Sequence, residues 1–263
     1  MIENMLRKMI KAVFFDIDGT LLSFVTHQVS VGTVEACRRL NERGIKVFIS
    51  TGRPKIIIPS LPIQIEGYVT MNGGLCWWGD EMVYSAPIPH EDAVRWLRFA
   101  KEHKVPTMSI TKDKMYGNML TEPVMAIHKQ LKFKLPPIVD EEDIIDEEFY
   151  QFIGVFTSDK DARVCEMLPH CSLPRWHPAF SDIVLKGGTK AIGIEKMLEK
   201  FGWDRSEIMT FGDGRNDIEM LEYAGIGVAM GNAADVVKQH ADYVTTDVDH
   251  EGVLHALTDL KII

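Results

Sequence analysis

The stretch Phe14-Phe15-Asp16-Ile17-Asp18-Gly19-Thr20 decides how the rest of the chain is read. It closes an apolar run, Lys11-Ala12-Val13-Phe14-Phe15, that is rich in strand formers and is then broken by two acids and a glycine. A run without polar alternation predicts a strand buried on both faces, as in parallel sheets, with chemistry at its C-terminal end. Two carboxylates one residue apart at such a place are costly unless they are paired or bind metal. In extended geometry they share a face, and a turn at Gly19 can re-aim the second. Phosphoryl transfer has a use for both, one as nucleophile and one as proton donor to the leaving oxygen. Taken alone, Asp18-Gly19 is equally a plain turn.

Outward from this point the pattern alternates. Val34, Cys37 and Leu40 recur at helical spacing, and Gly44 stops that helix. Residues 45–50 read as a second buried strand that ends at Thr51-Gly52-Arg53-Pro54, and 68–71 as a third that ends at Asn72-Gly73-Gly74. The alternation returns near the end, with helices over 190–200, 217–223, 233–239 and 251–260 between strands over 208–211, 226–230 and 243–245. The expected fold class is therefore α/β, a Rossmann-like, doubly wound, mostly parallel sheet. The middle is longer in its elements, more charged and less regular, and reads as a separate α+β domain inserted into the sheet domain. The expected division is a core over 1–83, an insert over 84–186 and the rest of the core over 187–263. Gly79-Asp80 and Gly187-Gly188 serve as the crossings.

With 263 residues, 46% apolar and 25% charged, the composition is that of a globular chain with ample material for a core. A formal net charge of −9 offers no global attraction to nucleic acid or to an anionic membrane. An anionic substrate would then need a local cation, either a metal or a placed Lys or Arg. None of the four cysteines has CxxC spacing, and they read as reduced thiols. No signal peptide or membrane span is visible, so the expected location is the cytoplasm.

A second acidic group, Phe211-Gly212-Asp213-Gly214-Arg215-Asn216-Asp217, also follows an apolar strand. Its glycines allow tight backbone near an ion, and oxygen-rich ligation favours Mg²⁺ over a soft metal. By itself it is another polar turn at a helix start; with the first group, a shared metal is the simpler account. Thr51-Gly52 could offer a hydroxyl and an amide to phosphate oxygens, or be a plain loop. Lys190 opens a helix after Gly187-Gly188-Thr189 and could neutralise phosphate charge or steady a carboxylate, or be an ordinary surface lysine.

In their order, Asp16-Ile17-Asp18-Gly19-Thr20, Thr51-Gly52, Lys190 and Gly212-Asp213-Gly214-Arg215-Asn216-Asp217 resemble the haloacid dehalogenase superfamily. The spacing is similar to its Cof-type IIB branch, in which a large α+β cap (C2B type) is inserted after the third core strand. Asn72-Gly73-Gly74 and Gly225-Ile226-Gly227-Val228-Ala229-Met230-Gly231-Asn232-Ala233 resemble further segments of that branch, so the likeness covers nearly the whole chain. Ser23 and Ala191 depart from its common residues.

The resemblance implies a Mg²⁺-dependent phosphatase, a phosphoric monoester hydrolase working through an aspartyl-phosphate intermediate. Asp16 is then the nucleophile, and Asp18 the acid and later the base. Asp16, Asp213 and the Asp18 carbonyl hold Mg²⁺, while Asp217 supports Lys190 and metal-bound water. Thr51, Gly52, Lys190, Asn216 and the Ile17 amide bind the phosphoryl oxygens. The expected partner is a small phosphate ester, a sugar phosphate by analogy, with neither nucleic acid nor membrane. Arg53 could reach the leaving group, bridge to the cap or form a core salt bridge. In the cap, Arg175, Trp176, His177 and Asp182 could meet a polyol, or Trp176 could pack and the others lie at the surface. A phosphomutase and a non-enzymatic sugar-phosphate sensor are the alternatives.

Overall fold

The first strand forms where the apolar run predicts it: Ala12–Phe15 (β1) is buried along its whole length in the computed structural model, which describes residues 10–125, 135–175 and 177–263. After it come a helix, Val31–Glu42 (α1), and strands Lys46–Ser50 (β2), Gly67–Thr70 (β3), Leu75–Trp78 (β4) and Glu81–Ser85 (β5). Ser30 caps α1 by accepting a hydrogen bond from the Thr33 amide. The middle of the chain supplies His90–His103 (α2), Thr107–Ile110 (β6), Met115–Gly117 (β7), Gln151–Gly154 (β8), Asp161–Met167 (α3), Cys171–Ser172 (β9) and Ser181–Leu185 (β10). The last part holds Lys190–Phe201 (α4), Ile208–Gly212 (β11), Ile218–Tyr223 (α5), Ile226–Ala229 (β12), Asp235–Lys238 (α6), Tyr243–Val244 (β13) and Gly252–Asp259 (α7).

The chain divides into two units. The first runs up to Arg53, takes in Pro59–Ser85 and resumes over Thr189–Ile263; the second holds Pro54–Ile58 and Ala86–Gly188. Among the described residues the first unit has an eight-stranded sheet in the order β13-β12-β11-β1-β2-β3-β4-β5. Its strands are parallel from β13 through β3, and β4 and β5 are antiparallel additions at one edge. Successive strands run outward from β1 to β3 on one side and from β11 to β13 on the other. The order therefore reverses between β1 and β11, the switch point where doubly wound sheets open a crevice at their carboxyl ends. One face packs on α4 through Phe14, Phe48, Val69, Ile194, Met197 and Leu198. Gly79-Asp80, read above as a crossing, is instead the two-residue turn of the β4–β5 hairpin, with Gly79 at φ +55°.

The second unit has its own antiparallel sheet, β7-β6-β8-β10-β9. Its core gathers Trp96, Leu97, Phe149, Phe152, Phe156 and Ile183. The Trp96 indole donates to the Thr107 hydroxyl at 3.0 Å, so its one polar atom is satisfied inside that core. Residues 125–131 read as helical from their sequence and lie mostly outside the described residues. Cys37, Cys76, Cys165 and Cys171 form no disulfide. Among the described residues no helix is long and apolar enough to cross a membrane.

Candidate active site

The carboxyl ends of β1 and β11 bring two separate acidic turns together. The Asp16 amide continues the ladder by donating to the Phe211 carbonyl at 2.9 Å, and the chain then turns through Gly19 at φ +85°. Only glycine fits there: a Cβ on Gly19 would stand 2.2 Å from Asp213 Oδ2 and 2.6 Å from the Phe24 ring. On the opposite arm Asp217 Oδ2 accepts from the amides of Asp213, at 3.0 Å, and Gly214, at 2.8 Å. Asp213 is itself steadied by the Thr20 hydroxyl at 3.1 Å and the Asn232 amide at 3.1 Å.

Lys190 is fully buried as the first residue of α4, behind the Thr189 cap. Its Nζ donates to Asp16 Oδ1 at 2.5 Å and to Asp217 Oδ1 at 2.6 Å. A buried ammonium at a helix N-terminus opposes both desolvation and the helix dipole, so the two carboxylates are what hold it there. Burial works against its charge, but Asp16 and Asp217 outweigh that and raise its pKa. Burial pushes the Asp16 carboxyl well above the ordinary carboxylate range; Lys190 opposes this, and Asp217 and Asp213 reinforce it. Asp213 is pushed up to about 7, by burial first and the Asp217 charge next.

Asp16, Asp213 and Asp217 present oxygens within 4.8 Å of one another. Three carboxylates against one ammonium leave two surplus negative charges in a buried place, which a small divalent cation would balance. Asp217 is fully buried and already accepts from the Lys190 ammonium and two backbone amides, whereas half-buried Asp213 accepts from one hydroxyl and one side-chain amide, which leaves Asp16 and Asp213 as the side chains best placed to ligate. The all-oxygen donor set and the missing Cβ at Gly19 fit such an ion. Gly19→Ala should therefore displace Asp213 and weaken divalent-cation binding at least about tenfold, with ~1–3 kcal/mol lost in stability. Calorimetric titration with Mg²⁺ and a melting curve check this; unchanged affinity would show that the close approach is unimportant.

Asp18 does not join the carboxylate cluster. Its oxygens accept a forked pair of hydrogen bonds from Arg53, Nε to Oδ2 at 2.7 Å and Nη2 to Oδ1 at 2.6 Å. Thr51, Gly52 and Asn216 converge on Asn72, which the sequence marked as part of the Asn72-Gly73-Gly74 turn but to which it gave no role. Asn216 donates to Asn72 Oδ1 at 2.9 Å, the Thr51 carbonyl accepts from the Asn72 amide at 3.1 Å, and a Cβ on Gly52 would lie 3.3 Å from the Asn72 amide group. Met71 and Asn72 both adopt φ near +50°, a conformation that propensity alone would not assign to a methionine. Asn232, marked in the sequence only as part of segment 225–233 and without a role, donates to the Gly19 carbonyl and to Asp213 and so ties the two acidic turns together. Ile17 is fully buried in the first turn, where its carbonyl accepts from the Leu21 and Leu22 amides.

In the second unit, Arg175 is committed internally. Its guanidinium pairs with both Asp161 oxygens and donates to the carbonyls of Phe156 and Phe180, so it braces the 177–180 turn and has little left to offer a ligand. His177 stacks on Phe180 with centroids 4.6 Å apart, and its Nδ1 accepts from the Ala179 amide. Asp182 lies buried in β10 opposite Ile153 of β8. Trp176 is outside the described residues.

The profile of the haloacid dehalogenase-like hydrolases matches residues 13–257. The "Putative phosphatase YkrA" of Bacillus subtilis (strain 168) is 33% identical over 258 residues, 96% of this chain and 98% of that protein. Among solved structures, the HAD subclass IIB sugar phosphatase BT4131 superimposes with a TM-score of 0.87 at 39% identity, covering 96% of this chain and 100% of that one. BT1666 from Bacteroides thetaiotaomicron, described among phosphatases of the same superfamily, gives 0.87 at 36% identity over 97% of this chain and 96% of that one.

Proposed function

The chain belongs to the haloacid dehalogenase-like hydrolases and is a phosphatase of their Cof-type branch, and on that premise we propose that it hydrolyses a small phosphorylated metabolite, first of all a sugar phosphate, with Mg²⁺ and through an aspartyl-phosphate intermediate. The observation that carries this reading is the group of buried Asp16, Asp217 and Lys190 with half-buried Asp213 at the sheet's switch point, beside the Arg53-held Asp18.

The Asp16 and Asp213 carboxylates and the Asp18 backbone carbonyl would hold Mg²⁺, which when bound neutralises charge on the phosphate and lets an anionic nucleophile approach it. Asp16 attacks phosphorus; an Asp16–phosphorus bond forms as the ester P–O bond breaks. Asp18 gives a proton to the departing alkoxide. It then takes one from a water whose oxygen attacks the same phosphorus, releasing inorganic phosphate and restoring the Asp16 carboxylate. Lys190 balances charge on the transferring group while Asp217 holds the ammonium in place. Thr51, Gly52, Asn216 and the Ile17 amide take the phosphoryl oxygens, with Asn72 fixing the Asn216 amide.

Release of free phosphate over a panel of phosphorylated metabolites tests the reading. Return of the phosphoryl group to a sugar, without free phosphate, would favour a phosphomutase. Binding without turnover would favour a sensor, although a sensor has no need of both Asp16 and Asp18. In this reading the second unit chooses among leaving groups, since every recognised chemical motif lies outside it. His177→Ala should lower kcat/KM for the best sugar phosphate by ~1–3 kcal/mol and leave p-nitrophenyl phosphate nearly unaffected. Equal losses on both esters with an unchanged melting curve would refute that division of labour.

A further inference from the structure

Arg53 and Asp18 form a forked ion pair beside the carboxylate cluster, and stability alone does not call for a fork there. Both oxygens of Asp18 are engaged by one planar fork, at 2.7 and 2.6 Å. Yet the pair is solvated, with side-chain exposures of 26% for Arg53 and 40% for Asp18. Ion pairs this exposed add only modestly to folding, even where a bidentate fork places them at the upper end of the range. What a two-point fork does supply is orientation, because it fixes the plane of the carboxylate as well as its position.

The Arg53 backbone is tethered to match. Its amide donates to the Thr51 hydroxyl at 3.1 Å, and its carbonyl accepts from the Met71 amide at 3.2 Å. Thr51 in turn is stitched to β3, its amide donating to the Val69 carbonyl at 2.8 Å. The three-residue turn after β2 thus does two things. It carries Thr51 and Gly52, the groups assigned to phosphate, and it aims a guanidinium back at the acid that follows β1.

The geometry points to Arg53 as the positioning residue for Asp18: it acts through that carboxylate and makes no contact of its own with the ester. This rests on the phosphatase reading and deepens it. A positioned acid matters most when the leaving oxygen is basic, because a weakly basic leaving group departs without help. When one Asp18 oxygen carries the proton, the remaining contact of the fork still orients the group.

The test is a double-mutant cycle read with two esters of similar shape, phenyl phosphate and p-nitrophenyl phosphate, phenolate being the more basic leaving group. The measured quantity is kcat/KM, which reports the first phosphoryl transfer. Arg53→Ala should cut it about 10²-fold for phenyl phosphate and less than ~3-fold for p-nitrophenyl phosphate, with a melting curve like that of the wild type. In an Asp18→Asn background the same substitution should cost no more than ~2-fold, because the group it positions is already gone. Arg53→Lys should stay impaired, since an ammonium cannot supply the fork, and added guanidinium should partly restore Arg53→Ala where methylammonium does not. Losses that multiply in the double variant would mean that Arg53 touches the ester itself and would overturn the proposal. So would an Arg53→Ala enzyme equal to wild type on both esters. A wild-type enzyme inert toward both esters would instead strike the phosphatase reading beneath it.

Discussion

Asp16→Asn should abolish phosphate release, by at least about 10⁴-fold, and should raise the melting temperature of the metal-free protein. The loss follows because an amide is a poor nucleophile and a poorer metal ligand, and removal of a covalent nucleophile costs rates of that order. The gain follows from the charge count. Asp16, Asp213 and Asp217 surround a single ammonium, and burial, reinforced by the neighbouring Asp217 and Asp213 charges, disfavours the ionised form of Asp16. An amide removes one surplus charge, and its oxygen can still accept from Lys190. Steady-state phosphate assays and paired thermal melts without metal read the two effects. A folded Asp16→Asn protein that turns over like the wild type would remove Asp16 from its role. A melting temperature that falls would show that the charge surplus is relieved some other way.

Removal of divalent metal has the second large effect. Chelation should take activity below about one part in 10³, and Mg²⁺ should restore it. The same addition should raise the melting temperature in proportion to the logarithm of free Mg²⁺ once binding saturates, because the ion binds the folded carboxylates and not the dispersed ones. Ca²⁺ should also stabilise but restore activity poorly, since its longer bonds and looser coordination shift the nucleophile from its line of attack. Full activity in a preparation shown metal-free by elemental analysis would refute the requirement. Stabilisation by Ca²⁺ without turnover would separate charge balance from catalytic geometry.

The sheet was legible wherever a strand is buried on both faces. Ala12–Phe15, Lys46–Ser50 and Ile208–Gly212 are short apolar runs that end in glycine or polar groups. The β4–β5 hairpin was not legible as part of that sheet. It is an edge addition that is only partly buried, and its Gly79-Asp80 turn has the composition of a linker. Asp16, Asp213, Asp217 and Lys190 could be named because each lies at a strand or helix end, where direction follows from topology. Lys190 as a fully buried residue was harder to see, since one lysine among many carries no mark of burial until its two carboxylates are placed. Asn72 and Asn232 lie in segments the sequence marked, but their roles stayed hidden because they depend on loop conformation, including a left-handed asparagine. Arg175 was misjudged for a related reason. A guanidinium's partners here are mostly backbone carbonyls, and no local pattern announces those.

The placement of β1 beside β11 also governs how the chain is born. Thr20 and Asp213 share a hydrogen bond yet stand 193 residues apart. At roughly 5–20 residues per second, a ribosome needs on the order of ten seconds or more to deliver the second after the first. Throughout that interval β1 has no partner on its β11 side, and its apolar edge is open to wrong pairings. The pairings of the second unit, by contrast, all lie within its own stretch, so that sheet can close while synthesis continues. No nascent or truncated chain that stops short of β11 can assemble the carboxylate cluster. On the proposed mechanism hydrolysis therefore waits until β11 and Asp217 have been made, and the interval before that is where a chaperone would matter most.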